Sequence, residues 1–111
     1  MTKEKLQLLR DELVVLSSDA ESQLEHLRST GFSECIDELA LDYDAIAAAA
    51  GDMLQRGEIN ADQRECVSEL NSLLSMMSGQ ANAHLWTPEA LRSSEKWKEV
   101  RTKASECLRL F

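Results

Sequence analysis

Leu6, Leu9, Leu13, Leu16, Ala20, Leu24 and Leu27 follow one another in steps of three and four residues. That spacing draws one apolar face along a long amphipathic helix. Thr2 is placed to cap its start, and Gly31 stands where a left-handed residue ends a helix. Ser17-Ser18 predicts a bend, because their hydroxyls compete for backbone partners. A second stripe runs through Ile36, Leu39, Tyr43, Ile46, Ala50 and Leu54, with Ser33 as cap and Gly57 as stop. Gly51 inside it costs up to ~1 kcal/mol relative to alanine and so marks a close contact or a kink. Asn60-Ala61-Asp62-Gln63 has the form of a capping box, and Val67, Leu70, Leu73, Leu74 and Met77 follow on one face until Ser78-Gly79. Residues 80–86 read as a loop or short turn. Thr87-Pro88-Glu89 starts a short helix ending near Arg92, since proline suits the first helical position. A last helix begins at Ser93-Ser94 and carries Trp97, Val100, Ala104, Cys107 and Phe111 along one side.

No segment alternates with the two-residue period of a strand. The pattern therefore predicts an all-α fold over residues 1–111, a single helical-bundle domain of four long helices plus one short helix. A chain of 111 residues with 43% apolar content buries one core without staples. The three cysteines, Cys35, Cys66 and Cys107, are odd in number, widely spaced and free of any CxxC pair. Reduced thiols in a cytosol are the expectation, rather than a disulfide framework or structural zinc. No run approaches 18 apolar residues and no apolar signal core follows the N-terminus, so a cytoplasmic protein without a membrane span is expected.

Charge changes this picture. Residues 1–76 hold 16 acids and 6 bases, whereas residues 77–111 hold 4 acids and 6 bases. Between Arg28 and Arg56 there is no Lys, Arg or His, yet Glu34, Asp37, Glu38, Asp42, Asp44 and Asp52 all fall there. At 100° per residue these six lie opposite the apolar stripe of the second predicted helix. They are expected to lack a basic partner one turn away within it. Glu34 with Glu38 and Glu38 with Asp42 are like-charge pairs, which cost an isolated helix a few tenths of a kcal/mol. Leu41 lies near the middle of this face with Ala45 and Ala48 beside it. Two readings follow: an interface hot spot with a charged rim, or a leucine packed under the basic C-terminal helices. An unneutralised acidic field attracts a cationic partner and repels nucleic acid and anionic membrane.

Catalytic signatures are weak by comparison. His26 and His84 are far apart, and there is no Gly-rich phosphate loop, HExxH or GxSxG. Glu34-x-x-Asp37 and Asp62-x-x-Glu65 superficially match the Mg²⁺-holding pairs of all-α nucleotide pyrophosphatases. Glu34 and Asp37, however, point away from the apolar face, and Asp62 and Glu65 offset a helix dipole. No catalytic residue, cofactor or metal is expected.

One segment carries a resemblance. Leu85-Trp86-Thr87-Pro88-Glu89-Ala90-Leu91-Arg92-Ser93-Ser94, then Trp97 and Val100-Arg101, with Met77-Ser78-Gly79 before them, resembles the C-terminal part of small all-α immunity proteins of bacterial contact-dependent and polymorphic toxin systems. It covers roughly residues 75–108 and brings no site residues with it. It implies a non-enzymatic inhibitor that occludes a cognate basic toxin domain, often a nuclease, with a ribonuclease favoured here. The acidic face would serve as a phosphate-like decoy. The partner-binding residues expected are Glu34, Asp37, Glu38, Leu41, Asp42, Asp44 and Asp52. A Mg²⁺-dependent pyrophosphatase and an acidic adaptor or nucleic-acid mimic are the other readings, and the oligomeric state is left open.

Overall fold

The leucine stripe of the N-terminal third forms two helices, α1 (Lys5–Ser17) and α2 (Ala20–Ser29), in a computed structural model that describes residues 4–32 and 35–111. The serine pair makes a full break rather than a bend. Both hydroxyls donate to the Val14 carbonyl, and Ser18 turns extended with ψ 161°. Asp19 then caps α2, its Oδ1 accepting from Ser22 N at 2.8 Å. Those bonds hold its carboxyl below the usual range. Gln23 reaches back from α2 fully buried, and its Nε2 donates to the carbonyls of Val15 and Leu16, which have lost their helical partners. Gly31 ends α2 at φ +86°, with Phe32 N bonded to Leu27 O and Gly31 N to Arg28 O. That double bond pattern needs a left-handed residue, which glycine adopts without strain.

The second stripe also divides, into α3 (Asp37–Ala47) and α4 (Ala50–Gln55). The division is a tightened turn through Ala48 and Ala49, where the Ala49 N–H bonds to Ile46 O three residues back. Gly51 is not the break, because a Cβ there would meet only the Arg64 side chain at 3.8 Å. The Asn60 capping box forms as the sequence predicts and starts α5 (Ala61–Met76). A 3-10 helix (Gln80–Leu85) replaces the expected loop, followed by α6 (Pro88–Ser93) and α7 (Glu95–Arg109). Seven α-helices thus stand where four long and one short were expected, and no strand occurs among the described residues. The expected caps Thr2 and Ser33 lie outside the described residues.

Four helices form a ring in which α1 packs on α7 and α3, and α5 closes the circuit against the same two. The predicted stripes face inward. Leu9, Leu13, Leu16, Leu39, Tyr43, Leu70, Trp97, Val100 and Ala104 join one continuous core. Tyr43 Oη donates to Val67 O at 2.8 Å and ties α3 to α5 from within, and burial pushes its phenol above the ordinary value. α2 and α6 pack together beside the ring, with Arg92 Nε on Glu21 Oε1 at 2.6 Å.

The cysteine expectation is corrected. Cys66 of α5 and Cys107 of α7 are joined as a disulfide with their Cα atoms 5.5 Å apart, while Cys35 is free and exposed. A separation of 41 residues hides this pairing in the sequence. Two inward stripes on adjacent helices bring it about.

Candidate protein-binding site

Helix α3 turns Leu39 and Tyr43 into the core, and its 100° step sends Asp37, Leu41, Asp42 and Asp44 to the surface. Leu41 is 58% exposed, so it does not pack beneath the C-terminal helices. Ala45 and Ala48 are exposed beside it, and Glu38 is half-buried. Asp37 and Glu38 occupy the first turn, where they offset the helix dipole. Asp42 and Asp44 lie beyond its reach and have no such explanation.

Among the described residues no ion pair reaches Asp37, Glu38, Asp42 or Asp44. The three lysines of α7 pair with other acids: Lys96 with Glu99, Lys98 with Glu95, and Lys103 with Glu69 and Glu106. Asp52 departs from the expected set. It belongs to α4, and Arg56 Nε lies 3.6 Å from its carboxylate at the i+4 position, so it is not part of an unpaired surface. Glu34 lies outside the described residues.

One acid joins from another helix. Glu12 of α1 is half-buried, and its pKa is raised to about 7, first by burial and then by the charges of Asp42 and Asp11. Sequence reading passes over it because it belongs to a different helix. The available signal is its spacing, three after Leu9 and four before Leu16, which puts a carboxylate on the edge of the core stripe.

Beside Leu41 the surface sinks into a cleft of about 530 Å³ between α3 and the 3-10 helix, with Asp37, Ala40 and Leu41 on one wall and Gly79, Ala83 and Trp86 on the other. Trp86 is firmly held. Its ring N–H donates to Met77 O at 2.7 Å, and the ring stands edge-on to Trp97, with centroids 5.3 Å apart and planes at 86°. Trp97 is buried and donates to Leu85 O at 2.7 Å. Gly79 sets the entry to the 3-10 helix at φ +99° with open space around it, a backbone angle that a side chain would strain. The Met77–Trp86 segment therefore builds the wall opposite Leu41, a juxtaposition that no local pattern reveals.

A larger depression of about 850 Å³ follows α5 from Ala61 to Met76, with Leu54 of α4 and Lys103 of α7 at its edges. Its charges are balanced, with Arg64 and Lys103 facing Glu65 and Glu69, and Lys103 is bonded to Glu69 at 2.9 Å. Among the described residues no three His, Cys, Asp or Glu side chains are grouped to hold a metal ion, and no helix is long and apolar enough to cross a membrane. Asp62 and Glu65 stand on the first turns of α5, and His84 is exposed on the 3-10 helix while His26 is half-buried on α2. No protein-family model, curated protein or solved structure matches the chain.

Proposed function

We propose that this protein is an immunity protein: it binds a cognate basic toxin domain, a nuclease and most simply a ribonuclease, and covers its active site without catalysing a reaction itself. The observation that carries the proposal is the acidic face of α3 around an exposed leucine, which no ion pair among the described residues neutralises. Asp37, Glu38 and Asp42 sit where a nuclease's phosphate-gripping lysines and arginines find substitute anions. Charge of this kind accelerates encounter and selects the partner, while the apolar centre slows release. One wall of the cleft includes Ser78, Gly79 and Trp86, residues of the stretch that resembles immunity proteins, which favours the same class. An acidic adaptor would share the charge but has no reason to set it beside a cleft lined by Leu41 and Trp86.

The proposal locates the protein in the cytoplasm, where a nuclease toxin meets nucleic acid. The Cys66–Cys107 bond pulls the other way, since a reducing cytosol keeps thiols apart. Alkylation of cells lysed directly into denaturant, which opens the buried Cys66 and Cys107, separates the two: three labelled cysteines fit a cytoplasmic pool, and one fits an oxidising compartment. The functional test is co-expression with the toxin candidate encoded in the adjacent reading frame. Growth rescue and a stable complex support the proposal. Unabated toxicity at full expression of a folded protein overturns it.

A further inference from the structure

We infer that the cleft between α3 and the 3-10 helix receives one apolar side chain, aromatic or branched aliphatic, from a protein partner, on a segment whose flanking lysines or arginines meet the acids of α3. The inference rests on the reading of the α3 face as the binding surface and adds what enters it.

Three properties of the cleft select this occupant. Its apolar lining is Leu41, Ala40, Ala83 and Trp86, with Ser78 and Gln80 as neutral polar neighbours, and its volume of about 530 Å³ admits a bulky side chain. Its one charged lining group is Asp37, with Asp42 and Asp44 exposed further along the same helix. A nucleotide or a nucleic acid would bring phosphates into this field and be repelled. A second copy of the chain docked symmetrically would set Asp37 and Asp42 against themselves. A cationic segment satisfies both the rim and the walls.

The third property is rigidity. Trp86 is fixed by its bond to Met77 O and by the buried Trp97, so the wall is formed before a partner arrives. A preformed wall spares the ordering cost that weakens binding at mobile surfaces. An anchor seated in such a pocket with a charged rim has the layout of an interface hot spot.

The test uses the full chain labelled with ¹⁵N and three short capped peptides: one with Phe between lysines, one with Gly in place of Phe, and one with glutamates in place of the lysines. The Lys-Phe-Lys peptide is expected to shift the amides of Asp37–Ala45 and Gly79–Trp86 together. The glycine peptide is expected to bind at least about tenfold more weakly, the effect of losing one hot-spot anchor. Leu41→Ala, at an exposed position that does not support the core, is expected to lose a similar factor. If the phenylalanine and glycine peptides shift α3 equally and leave Gly79–Trp86 unmoved, the cleft assignment falls while the acidic-face reading stands. If the glutamate peptide binds as well as the lysine one, the charge requirement falls. Absence of shifts at both segments at millimolar peptide overturns the inference. Toxin neutralisation by a variant with α3 charges reversed reads the broader proposal independently.

Discussion

Helices α3 and α7 each turn a charged face to solvent, but they treat charge in opposite ways. Along α7, Lys96 answers Glu99, Lys98 answers Glu95 and Lys103 answers Glu106, each three residues apart. Such pairs give an exposed helix a few tenths of a kcal/mol. Along α3, Glu38 and Asp42 stand four apart with the same sign, and no base reaches either among the described residues. The same chain thus has the means to build a neutralised surface and does so on α7. The contrast teaches that acidity alone marks nothing. On α3 the acids lie beside an exposed leucine and a cleft and find no ion-pair partner among the described residues, so local pairing does not account for them.

The strongest way to break this comparison is to show that both faces serve stability equally. Trp97→Ala on the inner side of α7 is expected to cost about 3–5 kcal/mol, because it empties a fully buried site and removes the support of Trp86. Leu41→Ala on the outer side of α3 is expected to stay within about 0.5 kcal/mol. Urea unfolding of both variants measures the difference. Next in size is the bond between α5 and α7: reducing Cys66–Cys107 is expected to lower stability by about 2–4 kcal/mol, read as a drop in Tm with added reductant. A Tm insensitive to reductant would show that helix packing alone holds that side of the ring.

Glu12 sharpens the comparison from the α1 side. Its carboxyl titrates at about 7 in the fold against 4.5 ordinarily, so the folded chain holds that proton more tightly than the unfolded chain does. Stability from this group is therefore present at acid pH and is lost as pH rises from about 4.5 to about 7. Glu12→Gln removes the loss. After discounting for solvent screening at a half-exposed site, it is expected to stabilise the protein by about 1 kcal/mol near pH ~8 and by nothing near pH ~4. Thermal melts at the two pH values check it. The smallest effect belongs to α7: Lys98→Ala breaks the pair with Glu95 and is expected to change stability by less than about 0.5 kcal/mol, fading further in salt.

Much of the fold was legible because three- and four-residue stripes leave little freedom: Leu9, Leu13, Leu16, Leu39, Tyr43, Leu70, Trp97 and Val100 all face inward as their spacing predicts. The Asn60 box and Thr87-Pro88 start their helices where expected, since caps act locally. Breaks were harder. Ser17-Ser18 signalled one, but an alanine run gave no warning of the turn through Ala48 and Ala49. The candidate site divides along the same line. Leu41 and the acids of α3 follow from helical phase within one segment. Glu12 beside Asp42, Trp86 opposite Leu41, and Cys66 on Cys107 each join parts far apart in sequence, and only packing brings them together. Helical phase puts Asp52 with the other acids as though one helix ran through; it is exposed but stands on α4 and pairs with Arg56.

The central claim is that the unpaired acids of α3 bind a basic partner, and matched charge reversals test it most directly. Asp37, Glu38 and Asp42 are changed together to lysine in one variant, and Glu95, Glu99 and Glu106 of α7 in another. Both then compete with wild type for the proposed toxin partner. The α3 variant is expected to stay folded and to lose affinity by at least about a hundredfold, roughly 1 kcal/mol for each reversed charge, while the α7 variant changes it severalfold at most. Equal affinity of the folded α3 variant and wild type, or a larger loss from the α7 variant, would contradict it.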